Sequence, residues 1–502
     1  MNYIDNLINR ITMYRLLIYY LCGLLLVAMF FGAIGTLAYP PQMILLSASI
    51  TVGICYAANY MFAKIYEAPS NTESALITGL ILSLIITPMS SLKDATFLVA
   101  ASGLAIASKY LIAIGNKHIF NPAAIAVVLT AFGPKESASW WIGSFTLLPF
   151  VLAGGLLIIR KIRRATMLGV YLAASLLSVM ILALFTNHDS VASLQTALTH
   201  SSLFFLGFVM LTEPWTSPST KFHRYMYAGI VGLLFSPFIQ VAGIYSTPEL
   251  ALIVGNLYAF LVTPIAKTKV RITRRQMYGA NTEDIELTPE HPFSYKPGQY
   301  IEMTMPHHGA DARGARRYFT LASSPTEDTL RLGVRYYPGG SSFKEILHKA
   351  DGELMSFGQV GGDFTLPKDP TTKLAFIAGG IGITPFRSMV KYLADTNDKR
   401  SAILLYGERS AQDVIYKDVF EEARAKVGLT TKYIFSASPK MQDNEIGGNI
   451  SRELIEREIP DYASRIFYIS GPQSMVQEVK RELRHMGVPR RNIKADYFFG
   501  YA

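Results

Sequence analysis

The chain changes pattern near residue 267. Before it, long apolar stretches are separated by short polar ones. After it, apolar residues alternate with polar ones or form brief runs bounded by Gly, Pro and charged residues. An apolar run of about 20 residues matches the hydrocarbon core of a bilayer. The first part therefore predicts about ten membrane segments, near 16–38, 42–65, 74–88, 95–114, 119–133, 140–159, 165–186, 201–213, 225–240 and 250–266. The segments 74–88, 119–133 and 201–213 are short. The third and eighth end in the similar runs IITPMSS and LTEPWTSPST. Short, Pro-interrupted segments at matching places suggest two five-helix repeats around a midplane site. Short helices that simply end on Pro and Ser read the same way.

The second part predicts two further layers. VRITRRQMYGANTEDIELTP, FSYKPGQYIEMTMP and LRLGVRYYPGG are strand-like with closely spaced turns, as in a small antiparallel β-barrel over 268–368. From 369 to 502, strands and helices alternate: KLAFIAGGIGITPFRSMVKYL, SAILLYGERSAQDVIYKDVFEEA, TTKYIFSAS, SRIFYISGPQSMVQEVKREL. That order predicts an α/β doubly wound parallel sheet. The predicted architecture is an α-helical polytopic membrane domain over 1–267, then the barrel, then the α/β domain.

Composition and charge refine this picture. The 502 residues are 50% hydrophobic and 17% charged, with a net charge of +10. The basic residues cluster at segment ends: Arg10 and Arg15, then Arg160, Lys161, Arg163 and Arg164, then Lys267, Lys269, Arg271, Arg274 and Arg275. This is the positive-inside pattern of cytoplasmic loops and argues against a nucleic-acid partner. With ten segments all three clusters share one side, which predicts a multi-pass protein of a bacterial-type inner membrane with both termini cytoplasmic. Two cysteines, Cys22 and Cys55, exclude a disulfide framework and an iron–sulfur cluster. His118, His188, His200 and His223 fall at segment ends or in loops, which argues against paired haems. Lys109 and Glu213 lie inside apolar segments. They are functional candidates, or they reach the interface from helix ends.

Candidate chemistry centres on Arg317-Tyr318-Phe319-Thr320. Arginine offers a planar donor fork for a diphosphate, an aromatic can face a ring, and a hydroxyl can bond a ring nitrogen. An ordinary half-buried strand shows the same alternation. Further on, Gly379-Gly380-x-Gly382-x-Thr384-Pro385 between a strand and a helix suits close approach to a dinucleotide diphosphate. Arg409 and Ser410 follow the second strand of that domain, where Arg can meet a 2′-phosphate.

These segments resemble the ferredoxin–NADP reductase superfamily across essentially all of 285–502. The R-x-[Y/F]-[S/T], G-G-x-G-x-T-P, Y-G-x-R and C-G-P-x-x-M motifs are carried by Arg317–Thr320, Gly379–Pro385, Tyr406–Arg409 and Ser470-Gly471-Pro472. The resemblance implies FAD on the barrel and NADH or NADPH on the α/β domain. It places Arg317, Gly339, Gly340, Ser341 and Ser342 at the flavin diphosphate, Thr320 at the reactive nitrogen, and Asp496 and Phe498 over the flavin. Ser470 replaces the family's cysteine at the nicotinamide, which puts the rate or alignment of hydride transfer in doubt. Earlier in the chain, SKYLIAIGNKHIFNPAAIAVVL over 108–129, with ESALITGLILSLIITP and FFLGFVMLTEPWTSPST, is similar to the NqrB/RnfD family of flavin-carrying membrane subunits. That resemblance implies FMN in the membrane domain. Covalent attachment would fall at Thr196, but Leu194-Gln195 replaces the family's Gly-Ala before it. The combined expectation is an NAD(P)H-dependent, FAD-containing oxidoreductase set among membrane lipid. It would pass electrons to a quinone or an extracytoplasmic flavoprotein. A redox-coupled ion transporter is the alternative, and a merely tethered reductase ranks last.

Overall fold

The computed structural model describes residues 8, 11–66, 72–114, 117–133, 136–263, 268–291, 294–305, 316–337, 339–352, 354–436 and 444–496. The chain divides into two compact units, Met1–Ile265 and Ala266–Ala502.

Each of the ten apolar segments of the first unit contains a helix, but the expectation of about ten spans is corrected. Among the described residues, three helices are long and apolar enough to cross a membrane: Met13–Ala33, Pro41–Ile65 and Ala165–Phe185. Others are cut short, such as Thr72–Ile85 with 14 residues and Pro122–Phe132 with 11. At 1.5 Å per residue, 14 residues reach about 21 Å, short of a bilayer core of about 30 Å. Proline supplies the interruptions. It starts helices at Pro122 and Pro248 and follows helix ends at Pro88 and Pro214.

The two halves of this unit share one plan. Helix Leu92–Leu111 runs into a two-stranded hairpin, Ala113–Ile114 with Lys117–His118, and then into the helix from Pro122. Helix Lys221–Leu234 likewise runs into a hairpin, Gln240–Val241 with Ile244–Tyr245, and then into Pro248–Val262. Both final helices start with Pro at the first turn after a capping side chain. Asn121 accepts from the Ala124 amide and Thr247 from the Leu250 amide. Pro41–Ile65 packs on Leu92–Leu111 as Ala165–Phe185 packs on Lys221–Leu234.

The second unit holds twelve strands among the described residues. We number them β1 Thr268–Tyr278, β2 Thr282–Pro289, β3 Tyr300–Thr304, β4 Arg316–Thr320, β5 Leu330–Arg335, β6 Leu354–Gly361, β7 Leu374–Gly379, β8 Ala402–Glu408, β9 Thr430–Phe435, β10 Glu445–Gly447, β11 Ile466–Ser470 and β12 Ile493–Asp496. The first six form one antiparallel sheet in the order β4-β3-β6-β1-β2-β5. Its core is filled by alternate residues, among them Ile285, Leu287, Ile301, Met303, Leu332 and Phe357. The last six form a parallel sheet in the order β10-β9-β8-β7-β11-β12. All six residues of β7 are buried, as expected of a central strand covered on both faces.

The strand order reverses between β7 and β11. In open α/β sheets, ligands bind beyond the carboxyl ends of the strands at such a switch point. Here Gly379 is in register with Gly407, and Ala378 with Ser470.

Candidate functional site

β4 carries the flavin-type motif, and its alternation sorts the residues. Arg317 and Phe319 are buried, 6% and 8% exposed, while Tyr318 is 47% exposed. Phe319 belongs to the barrel core, 5.9 Å from the Phe343 ring. Of the two motif aromatics, Tyr318 is therefore the one available to a ligand, and it meets Tyr300 edge-on at 5.4 Å. The Arg317 guanidinium lies 5.3 Å over the Phe343 ring and donates to the Arg316 carbonyl. Phe343 sits in the first turn of helix Ser342–Lys349, so the arginine stands beside that helix start.

Gly339 adopts φ +68° in the turn before this helix. Gly340 follows, where a Cβ would come within 2.9 Å of the Tyr337 carbonyl. Ser341 is the cap: its hydroxyl accepts from the Lys344 amide at 3.3 Å. Ser342 is the first helical residue. The turn therefore offers the amides and positive dipole of a helix N-terminus beside Arg317, a donor set suited to a diphosphate. Thr320 is 4% exposed, and its Oγ1 has no hydrogen-bond partner. A buried hydroxyl is seldom left unsatisfied. The orphaned hydroxyl and the adjacent donors fit a flavin on this strand.

The dinucleotide turn lies in the same unit. After β7, Gly380–Ile383 makes a tight turn and Thr384–Asp395 a helix with Pro385 in its first turn. The turn requires glycine at 382, where a Cβ would lie 2.5 Å from the Gly471 nitrogen and the Ser470 carbonyl group. Two backbone turns thus touch at the switch point. Thr384 Oγ1 donates to the Ile381 carbonyl at 3.2 Å. Gly379 packs its backbone against Met475 and Pro472, the latter just ahead of helix Gln473–His485. Ser470 is buried and pairs in register with Asp496 on β12, where burial pushes the Asp496 carboxyl up to about 6. Arg409, the residue that follows β8, is exposed. Phe498 lies outside the described residues.

The outward face of β5, Arg331, Gly333 and Arg335, meets the nucleotide half rather than solvent. Sequence reasoning did not assign these residues, although L-R-L-G-V-R shows the alternation plainly. A Cβ on Gly333 would lie 2.6 Å from Thr384 Cγ2. Arg335 bonds Glu408 at 2.7 Å and Thr282 at 2.9 Å, with its guanidinium against Gly380. Burial pushes the Glu408 carboxyl up even beside that arginine. Arg331 pairs with Asp284 at 2.6 Å and Glu286 at 2.9 Å.

Within the helical unit, the segment expected as a flavin-attachment loop is a helix, Ser190–Thr199. Asp189 caps it by accepting from the Val191 and Ala192 amides. Thr196 is exposed and donates back to the Ala192 carbonyl at 2.9 Å. The motif's acid here has a helix-capping role. Lys109 turns inward rather than to an interface, donating to the Ser74 carbonyl and to the Ser74 and Thr78 hydroxyls at 2.9–3.1 Å. Glu213 accepts from Asn121 at 2.8 Å and Thr216 at 2.9 Å, and His118 lies 3.5 Å away.

Comparison with known proteins agrees with the second unit. Residues 376–481 match the oxidoreductase NAD-binding domain. The reductase component of propane 2-monooxygenase from Rhodococcus jostii (strain RHA1) is 27% identical over 246 residues, 47% of this chain and 64% of that protein. The glycine betaine monooxygenase reductase subunit of Pseudomonas aeruginosa (strain UCBPP-PA14) is 28% identical over 200 residues, 39% of this chain and 54% of that protein. The solved structure of Amycolatopsis cytochrome P450 reductase GcoB is 24% identical over 47% of this chain and 71% of that chain, with a TM-score of 0.42. The chain spans less than two thirds of the length of these two curated relatives. The C-terminal unit is thus similar to reductase components of oxygenases and carries an oxidoreductase NAD-binding domain, which supports FAD and NAD(P)H as its cofactors.

Proposed function

We propose that this chain is a membrane-bound flavin oxidoreductase that takes electrons from NAD(P)H through FAD into its helical unit. The observation that carries the reading is the buried, partnerless Thr320 hydroxyl, on the strand of Arg317 and in the same unit as the dinucleotide turn. When bound, FAD supplies a ring that accepts a hydride and releases electrons singly. The chain's own residues do the rest. Arg317 and the Gly339–Gly340 turn hold the diphosphate, and Tyr318 offers a ring face. Thr320 offers its hydroxyl to the reactive nitrogen. Gly380, Gly382 and Thr384 leave room for the dinucleotide, and Ser470 lines the nicotinamide end.

In this reading the first unit lies in an inner membrane with both termini cytoplasmic, and the acceptor is a quinone or an extracytoplasmic flavoprotein. The similarity of 108–129 to the NqrB/RnfD family supports that placement and leaves room for a non-covalent FMN. The reductase components among the relatives support an acceptor partner. Electron uptake from NADH or NADPH by the purified, detergent-solubilised protein, followed anaerobically by absorbance, tests the reading. About two electrons per chain would mean one FAD; about four would place a second flavin in the helical unit. No flavin bleaching by either nucleotide would overturn it.

A second reading, a redox-coupled ion transporter, is favoured by the two matching helix–hairpin–helix halves and by Lys109 and Glu213 on their interior networks. Sodium dependence of NAD(P)H oxidation in sealed vesicles separates it from the first.

A further inference from the structure

The first turns of helix Thr384–Asp395 do two jobs. Thr384 and Pro385 belong to the dinucleotide turn. One turn later, Arg387 points back to the barrel. It is 4% exposed, donates to the Ala322 carbonyl at 3.0 Å, and holds Glu327 through both terminal nitrogens. Its neighbour Ser388, fully buried, donates to the Ser323 carbonyl at 2.6 Å. Ala322 and Ser323 are the second and third residues after Thr320. Glu327 in turn accepts from the Ser324 amide at 2.6 Å. The strand that offers the partnerless hydroxyl is therefore tied to the helix that opens from the dinucleotide turn, by two hydrogen bonds and a forked ion pair.

A buried arginine is an expensive tie. Removing its charge from water is costly, and an apolar contact would hold two domains with less penalty. What the fork adds is geometry, because two parallel bonds fix both distance and angle.

We propose that Arg387, supported by Ser388, is the positioning residue that sets the spacing between nicotinamide and flavin. It touches neither reacting group. It fixes Thr320 relative to Thr384 through the backbone of 322–323. Lysine at 387 keeps the charge and loses the fork, so the two turns drift while both ligand sets remain. The inference rests on the function proposed above. Its test separates the two, since nucleotide bleaching of the unaltered protein's flavin must be seen first.

The experiment compares the unaltered full chain with Arg387→Lys and Ser388→Ala. Flavin reduction at saturating NADH or NADPH is followed by anaerobic stopped flow, with the nucleotide dissociation constant taken from the concentration dependence. Hydrogen–deuterium exchange is measured on the FAD-stripped protein. Misplacement by about 1 Å costs on the order of 100-fold. Arg387→Lys is expected to slow reduction by about 10- to 100-fold with less than about a 3-fold change in nucleotide affinity. Exchange should rise in 320–327 and 380–388 and stay unchanged in the rest of the barrel. Ser388→Ala, which loses one bond, should move both readouts the same way by less. If Arg387→Lys fails to fold, the Ser388→Ala result decides alone. Unchanged reduction with unchanged exchange in the folded variant overturns the proposal. So does a loss confined to nucleotide affinity.

Discussion

The Tyr416 hydroxyl donates to the Asp284 carboxylate at 2.7 Å, across the junction between the parallel sheet and the barrel. Tyr416 holds φ +62°, a conformation that costs a bulky residue about 1–3 kcal/mol. Its ring also lies under the Arg387 guanidinium at 5.5 Å. The strain is retained because hydroxyl and ring together close the junction. Tyr416→Phe leaves Asp284 buried with Arg331 alone and should destabilise the C-terminal unit by about 1–3 kcal/mol. Thermal release of the flavin, followed by its fluorescence, measures this. An unchanged midpoint would mean that the bond contributes nothing.

Thr320 is where the flavin reading is most exposed to test. Thr320→Ala removes the hydroxyl and should slow flavin reduction by about 10- to 100-fold while FAD content stays near one per chain. Thr320→Ser keeps the hydroxyl and should retain most of the rate. Equal rates in all three proteins would place the reactive nitrogen elsewhere.

Gly382 has no space for a methyl group, because its neighbours are backbone atoms of Ser470 and Gly471 rather than movable side chains. Gly382→Ala must push the two turns apart. NAD(P)H binding should weaken by more than about 10-fold, with FAD retained, since the flavin residues lie on other strands. Isothermal titration with NAD⁺ and NADP⁺ reads the first effect, and the absorbance ratio of flavin to protein the second.

Asp496 gives a pH dependence of definite sign. Burial raises its carboxyl to about 6 in the folded protein, against an ordinary value near 3.9. Between these values the folded state holds the proton that the unfolded chain has released. Stability is therefore greatest below pH about 4 as far as this group is concerned, and falls by up to about 3 kcal/mol as pH rises to 6. Asp496→Asn should flatten that part of the stability curve, as measured by urea unfolding at a series of pH values. A slope that survives the substitution belongs to another group.

The sequence by itself determined the layers of the second unit and where its glycine turns fall. The period-two pattern of 268–368 and the strand–glycine–helix order after 371 are local properties, set by steric alternation and by the space glycine leaves. They identified the barrel and the parallel sheet without three-dimensional information. Hydropathy placed a helix in each of the ten apolar segments of the first unit but not their lengths, and it missed the helix Ser190–Thr199. Apolar composition cannot tell a full span from a half-length helix stopped by proline. Only the tertiary structure decided which motif aromatic is outward. Tyr318 and Phe319 are adjacent and alike, and the barrel's inside face chose between them. It also decided that Ser341 rather than Ser342 caps the flavin-side helix, and that Asp189 caps a helix. Arg331, Arg335, Arg387 and Tyr416 read as ordinary polar or aromatic positions along the chain. Their role arises because residues distant in sequence, such as Asp284 and Tyr416 or Ala322 and Arg387, meet when the two sheets pack. No one-dimensional pattern encodes a junction between two separately patterned layers.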